Sequence, residues 1–281
     1  MDPKPPKIVP PPLACDTHAH IFGPVALYPL APERDWTPPD RPLEAYADML
    51  DTLGLARGVI VHSSSHGTDN RVTLDAIARM RGRCVGICLV SASVSDRELQ
   101  DLAAGGMRGI RVSTMLKGSI GIQHLEAMSP RLKALGWQFV LHFDKPEEIV
   151  PVAPMLRRLP VPVVFDHMGR VRGNTGKDSP AFQSLLALVR ETDHCWVKIC
   201  SWYRLSDQGP PYDDMRPYVE ALIRTRADRL LWGSNWPHPL LKGPPPDDAE
   251  LLDQFQQWAG SERKAILVDN PAKLYGFEEE F

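Results

Sequence analysis

The 281-residue sequence has no apolar run approaching the roughly 20 residues a bilayer-spanning helix needs, and no basic-then-apolar export signal at its start. Nor does it carry an excess of positive charge. With 32 Lys and Arg against 35 Asp and Glu, its net charge of −3 gives no electrostatic footing for nucleic acid or an acidic membrane. Cysteine is scarce: five residues (15, 84, 88, 195 and 200), an odd number with no C-x-x-C pair. A disulfide framework is therefore not expected, and the thiols read as reduced groups in a cytoplasmic protein. Cys84 and Cys88 stand at even spacing on one strand and are expected as small core groups facing the same side. No hinge-like linker, short internal repeat or change of composition divides the chain.

What is present is a strand–helix rhythm. Residues 1–12 are too rich in proline for regular structure and form an extended arm. From residue 13 to 281, short apolar segments alternate with helix-period segments. Strands are expected near 13–18, 57–62, 84–90, 107–112, 137–143, 162–167, 195–200 and 229–234. Helices are expected near 42–53, 68–81, 95–104, 122–135, 146–158, 179–191, 214–227 and 247–259, with a last one near 261–269. Ser95 and Glu98 have capping-box spacing, Gly54, Gly105 and Gly136 stand where helices should stop, and Pro146 suits a first helical turn. Eight such units predict a single α/β domain, a (β/α)8 barrel. The proline-studded segment 21–41 is too long for an ordinary connection and is expected to cover a site.

In such a barrel the chemistry lies at the C-terminal ends of the strands. His18 and His20 end the first strand, two residues apart, so both rings project from one face. Arg111 ends the fourth, His142 the fifth, Asp166-His167 the sixth. The seventh runs into Ser201 and Arg204, the eighth into Ser234-Asn235. A lone histidine there is commonly a satisfied core group, and a lone arginine an ion-pair partner. Several cations at one mouth of a net-acidic protein, with Arg170 and Lys117 added, instead point to a carboxylated small molecule held by guanidinium groups. Trp36, Trp202, Tyr203 and Trp236 are candidates to wall in a ring-shaped ligand.

The segments CDTHAHIFGP, YPLAPERDWTP, SSHGTDNRVTLDAIA, GGMRGIRV, VVFDHMGR, LLWGSNWPHP and VDNPAKLYGF, spread from residue 15 to 277, resemble the amidohydrolase superfamily. Within it the chain resembles the amidohydrolase 2 family, the group of 2-pyrone-4,6-dicarboxylate lactonases and lactone isomerases. The resemblance implies a distorted barrel that opens a carboxylated lactone. His18, His20 and His167 would polarise the carbonyl. Arg111, Lys117, His142, Arg170, Arg204 and Trp36 would bind the substrate. It also implies no required metal or other cofactor, with a divalent ion such as zinc at His18, His20 and His167 as the alternative.

One departure bears on mechanism. The lactonases carry an aspartate that deprotonates water where this chain has Asn235, and an amide cannot serve as a base. Either His238 or His142 manages protons in a hydrolase, or the acyl group moves within the substrate, as in the isomerases that resemble the chain in carrying asparagine there. Those isomerases lack the first histidine of the H-x-H, which this chain keeps as His18. A non-catalytic binder of a carboxylated ligand is the third reading. Oligomeric state is left open.

Overall fold

Alternate residues of each strand fill the inside of one closed sheet, and helices cover its outside, so the strands are buried on both faces. The computed structural model describes residues 3–116, 118–241 and 243–278. Its strands are β1 (Cys15–Ala19), β2 (Arg57–Val61), β3 (Cys84–Cys88), β4 (Met107–Ser113), β5 (Gln138–His142), β6 (Val163–Phe165), β7 (Cys195–Cys200) and β8 (Leu230–Gly233). They pair in chain order and all in parallel. Every boundary falls within about two residues of the sequence expectation, because the apolar runs that define the strands are the segments buried from both sides.

The helices are α1 (Leu43–Leu53), α2 (Arg71–Arg79), α3 (Asp96–Ala104), α4 (Leu125–Leu135), α5 (Ile149–Leu156), α6 (Pro180–Glu191), α7 (Trp202–Leu205), α8 (Arg216–Arg226), α9 (Asp248–Ala259) and α10 (Asn270–Tyr275). The capping box at α3 forms: Glu98 N donates to Ser95 Oγ, and Ser95 N to Glu98 Oε2 at 2.7 Å. Gly54 and Gly136 end α1 and α4 in the left-handed conformation. The helix expected at 261–269 is present and runs further, to Tyr275. Ala265–Asp269 is a wide π turn that leads into α10. Pro271 has no N–H for an ordinary helical bond, and the wide turn before it absorbs that loss. Residues 3–12 form no helix or strand. Lys7 N and Ile8 N donate to the Asp253 carboxylate of α9, which ties the segment down.

The circle closes between β8 and β1 without a regular ladder. A single parallel bridge joins Ala19 and Trp236. Asn235 N donates to His18 O at 2.8 Å, and His20 N to Trp236 O at 2.8 Å. Asp16, fully buried, clasps the seam. Its Oδ1 accepts from Ser234 N (2.9 Å) and His18 N (3.0 Å), its Oδ2 from Ser234 Oγ (2.6 Å) and Tyr46 Oη (3.3 Å). Gly233 is required here, since a Cβ would stand 2.6 Å from that of His18. No helix among the described residues is long and apolar enough to cross a membrane.

Candidate active site

The side chains that face the barrel axis run in alternate positions, so a polar residue two after an interior apolar one enters the cavity. Val140 of β5 is followed by His142, Val164 of β6 by Asp166, and Trp196 of β7 by Lys198. Beyond β6 the chain turns left-handed for four residues: φ is +49° at His167, +54° at Met168, +61° at Gly169 and +66° at Arg170. Ser201 (+59°) and Asn235 (+63°) do the same beyond β7 and β8. Side chains other than glycine adopt this region at a cost of the order of 1 kcal/mol or more each. The strain collects at one rim, where it aims His167 and Asn235 at a common cleft.

Four imidazoles cluster at this end of the barrel. Ring centroids of His18 lie 4.9 Å from His20 and 4.7 Å from His167, and His167 lies 5.2 Å from His142. His20, His142, His167, Arg111, Arg204, Asn235, Trp36 and Ser63 line the cleft together with the apolar Met115, Leu116, Pro239 and Leu240. His18 is not among the residues that line it, and its ring is fully buried. The physical reason is its partners. Its Nδ1 lies 3.1 Å from Asp166 Oδ1 and 3.4 Å from Lys198 Nζ, and its Nε2 lies 3.2 Å from His20 Nε2.

The tautomers follow from those contacts. His20 Nδ1 must donate to the Val61 carbonyl (2.7 Å), so its Nε2 is a lone pair. His18 Nδ1 stands against the Asp166 carboxylate oxygen, to which it can only donate, with the Lys198 ammonium 3.4 Å away. Burial holds His18 neutral, lowering its pKa to about 4 despite the Asp166 charge, and it holds His20, His142 and His167 well below the ordinary histidine range. Burial would raise Asp166. Lys198, His18 and Arg111 instead pull it well below the usual carboxylate range. His167 Nδ1 is buried with no hydrogen-bond partner among the described residues, so this ring has a nitrogen free for a ligand.

The cationic rim is smaller than its sequence suggests. Arg111 Nε is committed to Asp166 Oδ2 at 3.1 Å, which orients its outer nitrogens. Arg204 is on the cleft wall, placed by the short α7 that the sequence reading missed. Arg170 is half-buried and stands off the cleft, in the field of Arg204, Asp144 and Arg172. Lys117 lies outside the described residues.

His238 stands outside this cleft. With φ at +62°, it faces a second cleft behind the Trp236–Pro237 segment. It is joined to the first through Tyr203, whose Oη lies 2.7 Å from His238 Nδ1 and accepts from Asn235 Nδ2 at 3.0 Å. That bond leaves Asn235 Oδ1 buried without a partner among the described residues. His62 and His66 are absorbed in packing, on Thr73 Oγ1 and the Pro29 carbonyl.

The residues do not fit a divalent metal at His18, His20 and His167. The close donor set is His18, Asp166 and His167, with one atom of each within 4.8 Å of the others. Its only carboxylate already carries the Lys198 ammonium at 3.3 Å and the Arg111 guanidinium. A dication would add a third positive centre to one anion, and position 235 supplies an amide rather than a second carboxylate.

The chain is similar to known proteins over nearly its whole length. The family profile described as amidohydrolase matches residues 15–277. A 4-sulfomuconolactone hydrolase of Rhizobium radiobacter is 39% identical over 270 residues, which are 94% of this chain and 90% of that protein. A 2-pyrone-4,6-dicarboxylate hydrolase of Comamonas testosteroni is 37% identical over 278 residues, covering 95% and 91%. In three dimensions the chain is similar to an Agrobacterium tumefaciens protein solved in its apo form, with a TM-score of 0.88, 27% identity and 98% of both chains covered.

Proposed function

The chain belongs to the amidohydrolase family, and from that premise we propose that it is a hydrolase opening a carboxylated lactone by polarising its carbonyl with neutral imidazole. The observation that carries this reading is the meeting of His20, His142 and His167 with Arg111, Arg204 and Asn235 around one cleft. The two hydrolases that are 37–39% identical act, by their names, on lactones bearing acid groups. A substrate of that kind needs three things: cations for its carboxylates, a donor for the carbonyl oxygen, and an acceptor for the water proton.

Arg204 and the outer nitrogens of Arg111 meet the first need, bidentate guanidinium being matched to carboxylate. His167 meets the second, since a neutral ring can donate one N–H to the oxygen as negative charge builds on it. His18, below, acts through His20 and Asp166 and is a positioning residue. Asn235 Oδ1 meets part of the third. Its amide is fixed by Tyr203, so the oxygen rather than the nitrogen faces the water and orients it without taking its proton.

Incubating the protein with a panel of lactone mono- and dicarboxylates under pH-stat and proton NMR tests the proposal. Hydrolysis consumes one equivalent of base per ring opened. The amide at position 235 favours one second reading, transfer of the acyl group to a hydroxyl of the same substrate, because that transfer needs no activated water. It would appear as a new lactone with no base consumed. Saturable binding with neither result overturns both and leaves a non-catalytic binder.

A further inference from the structure

We propose that Tyr203, His238 and Asp248 form a proton relay that draws the proton of the attacking water out of the cleft, in place of a carboxylate at position 235. This rests on the lactone-hydrolase reading and names how that chemistry proceeds without a base on β8. The direction of every bond in the chain follows from its neighbours. Asn235 Nδ2 donates to Tyr203 Oη, which leaves the phenolic proton for His238 Nδ1, 2.7 Å away. An imidazole accepting at Nδ1 carries its own proton on Nε2, and that atom lies 3.1 Å from Asp248 Oδ1. At rest this last contact is off the line of a hydrogen bond, and both atoms are buried with no other partner among the described residues. The order, carboxylate to imidazole to hydroxyl, is that of an activated nucleophile, with water in place of a covalent step.

The outer end of the chain has a route to solvent. His238 and Asp248 line a cleft of about 390 Å³ on the far side of Trp236. Asp40 and Arg41 reach this cleft from the segment before α1, Asp48 from α1, Asp247 from the head of α9, and Lys4 from the N-terminal arm. An imidazolium at His238 therefore faces four carboxylates against two cations. His142, the other ring able to act, shares the cleft wall but bonds Ser113 Oγ through Nδ1 and reaches no carboxylate among the described residues.

The step balances as follows. The water oxygen bonds to the carbonyl carbon, whose π pair moves to the carbonyl oxygen against His167. The water, held at the Asn235 amide to which Tyr203 Oη is bonded at 3.0 Å, gives its proton to Tyr203 Oη while the phenolic proton passes to His238 Nδ1. Collapse of the tetrahedral centre breaks the ring C–O bond, and the leaving oxygen takes a proton back along the same chain or from solvent. Burial raises the Tyr203 phenol well above its ordinary range, so Tyr203 passes a proton on and does not wait as phenolate.

Steady-state kinetics of Tyr203→Phe, His238→Gln and Asp248→Asn over pH 5–9 test the relay. Tyr203→Phe and His238→Gln should lower kcat by about 10²–10⁴-fold with KM within about threefold. Asp248→Asn should lower kcat less than either, since Asp248 reaches the reaction only through His238. Tyr203→Phe retaining kcat within about fivefold overturns the relay. Melting curves check that each variant is folded. If Tyr203→Phe does not fold, His238→Gln decides by its kcat, a value within about fivefold of wild type overturning the relay. Nitrogen-15 NMR of His238 gives a readout independent of turnover: a neutral ring protonated at Nδ1 also overturns the proposal. A wild-type protein that opens no lactone overturns the hydrolase reading itself, whereas turnover surviving in Tyr203→Phe overturns the relay alone.

Discussion

Lys198 has no exposed surface, yet its ammonium lies against both Asp166 and His18 beneath the cleft. Removing one partner of a buried ion pair leaves the other uncompensated, at a cost of about 3–5 kcal/mol. Lys198→Met should therefore lose stability of that order in urea unfolding, while Lys198→Arg keeps the charge and loses less. Sequence reading passed over this lysine because a single cation in Trp-Val-Lys-Ile-Cys looks like the exposed face of a strand. Its even spacing from Trp196 was the signal available, since both must then face the axis. Asn235 could be read directly, its amide being chemically unlike a base, but the bond that orients it comes from Tyr203, 32 residues away. An Asn235→Asp change supplies a local base. The kcat loss from Tyr203→Phe should then be about tenfold smaller in that background, the coupling that a double-mutant cycle isolates.

Among the elements, the seam between β1 and β8 carries a pH dependence of its own. Burial lifts the Asp16 carboxyl to about 6, against the bonds from Ser234 and His18 that favour its charged form. Raised pKa means that the folded state binds the proton more tightly than the unfolded chain. The stabilisation is full below about pH 4 and is lost as pH rises through about 6, the reverse of an ordinary paired acid. At about 1.4 kcal/mol per unit, the change is of the order of 3 kcal/mol. Urea titrations at pH 4.5 and 7.5 should show it in the wild type and not in Asp16→Asn. Strands and helix caps were legible because apolar runs, Ser95–Glu98 and the stop glycines act locally. The left-handed run from His167 to Arg170 was not, because only Gly169 in it advertises positive φ. That turn lifts Arg170 off the cleft and brings the His167 ring onto it.

For the molecule as a whole, the first cleft encloses only about 30 Å³, room for two or three waters at roughly 10–15 Å³ each. A ligand-sized site is of the order of 300 Å³ or more, so Met115, Leu116, Pro239 and Leu240 must part to admit a lactone. Hydrogen exchange at residues 115, 116, 238, 240 and 241 should slow when a dicarboxylate is bound, and unchanged exchange would mean entry by another path. The donor set also predicts less than 0.1 equivalent of tightly held zinc by elemental analysis, with chelators leaving turnover unchanged (the fraction a rough bound set by the two cations on Asp166). Family and architecture were legible at this scale because the matching segments run in order along most of the chain, whereas the closeness of the lid depends on contacts between distant loops.

His18 and His20 leave the ribosome more than two hundred residues before Asn235, and the two groups are brought together only where the last strand docks against the first. A nascent chain short of residue 236 thus has its imidazoles and most of its guanidinium rim but no joined cavity. Turnover, once it appears, is a report that synthesis has passed that point and the ring has shut.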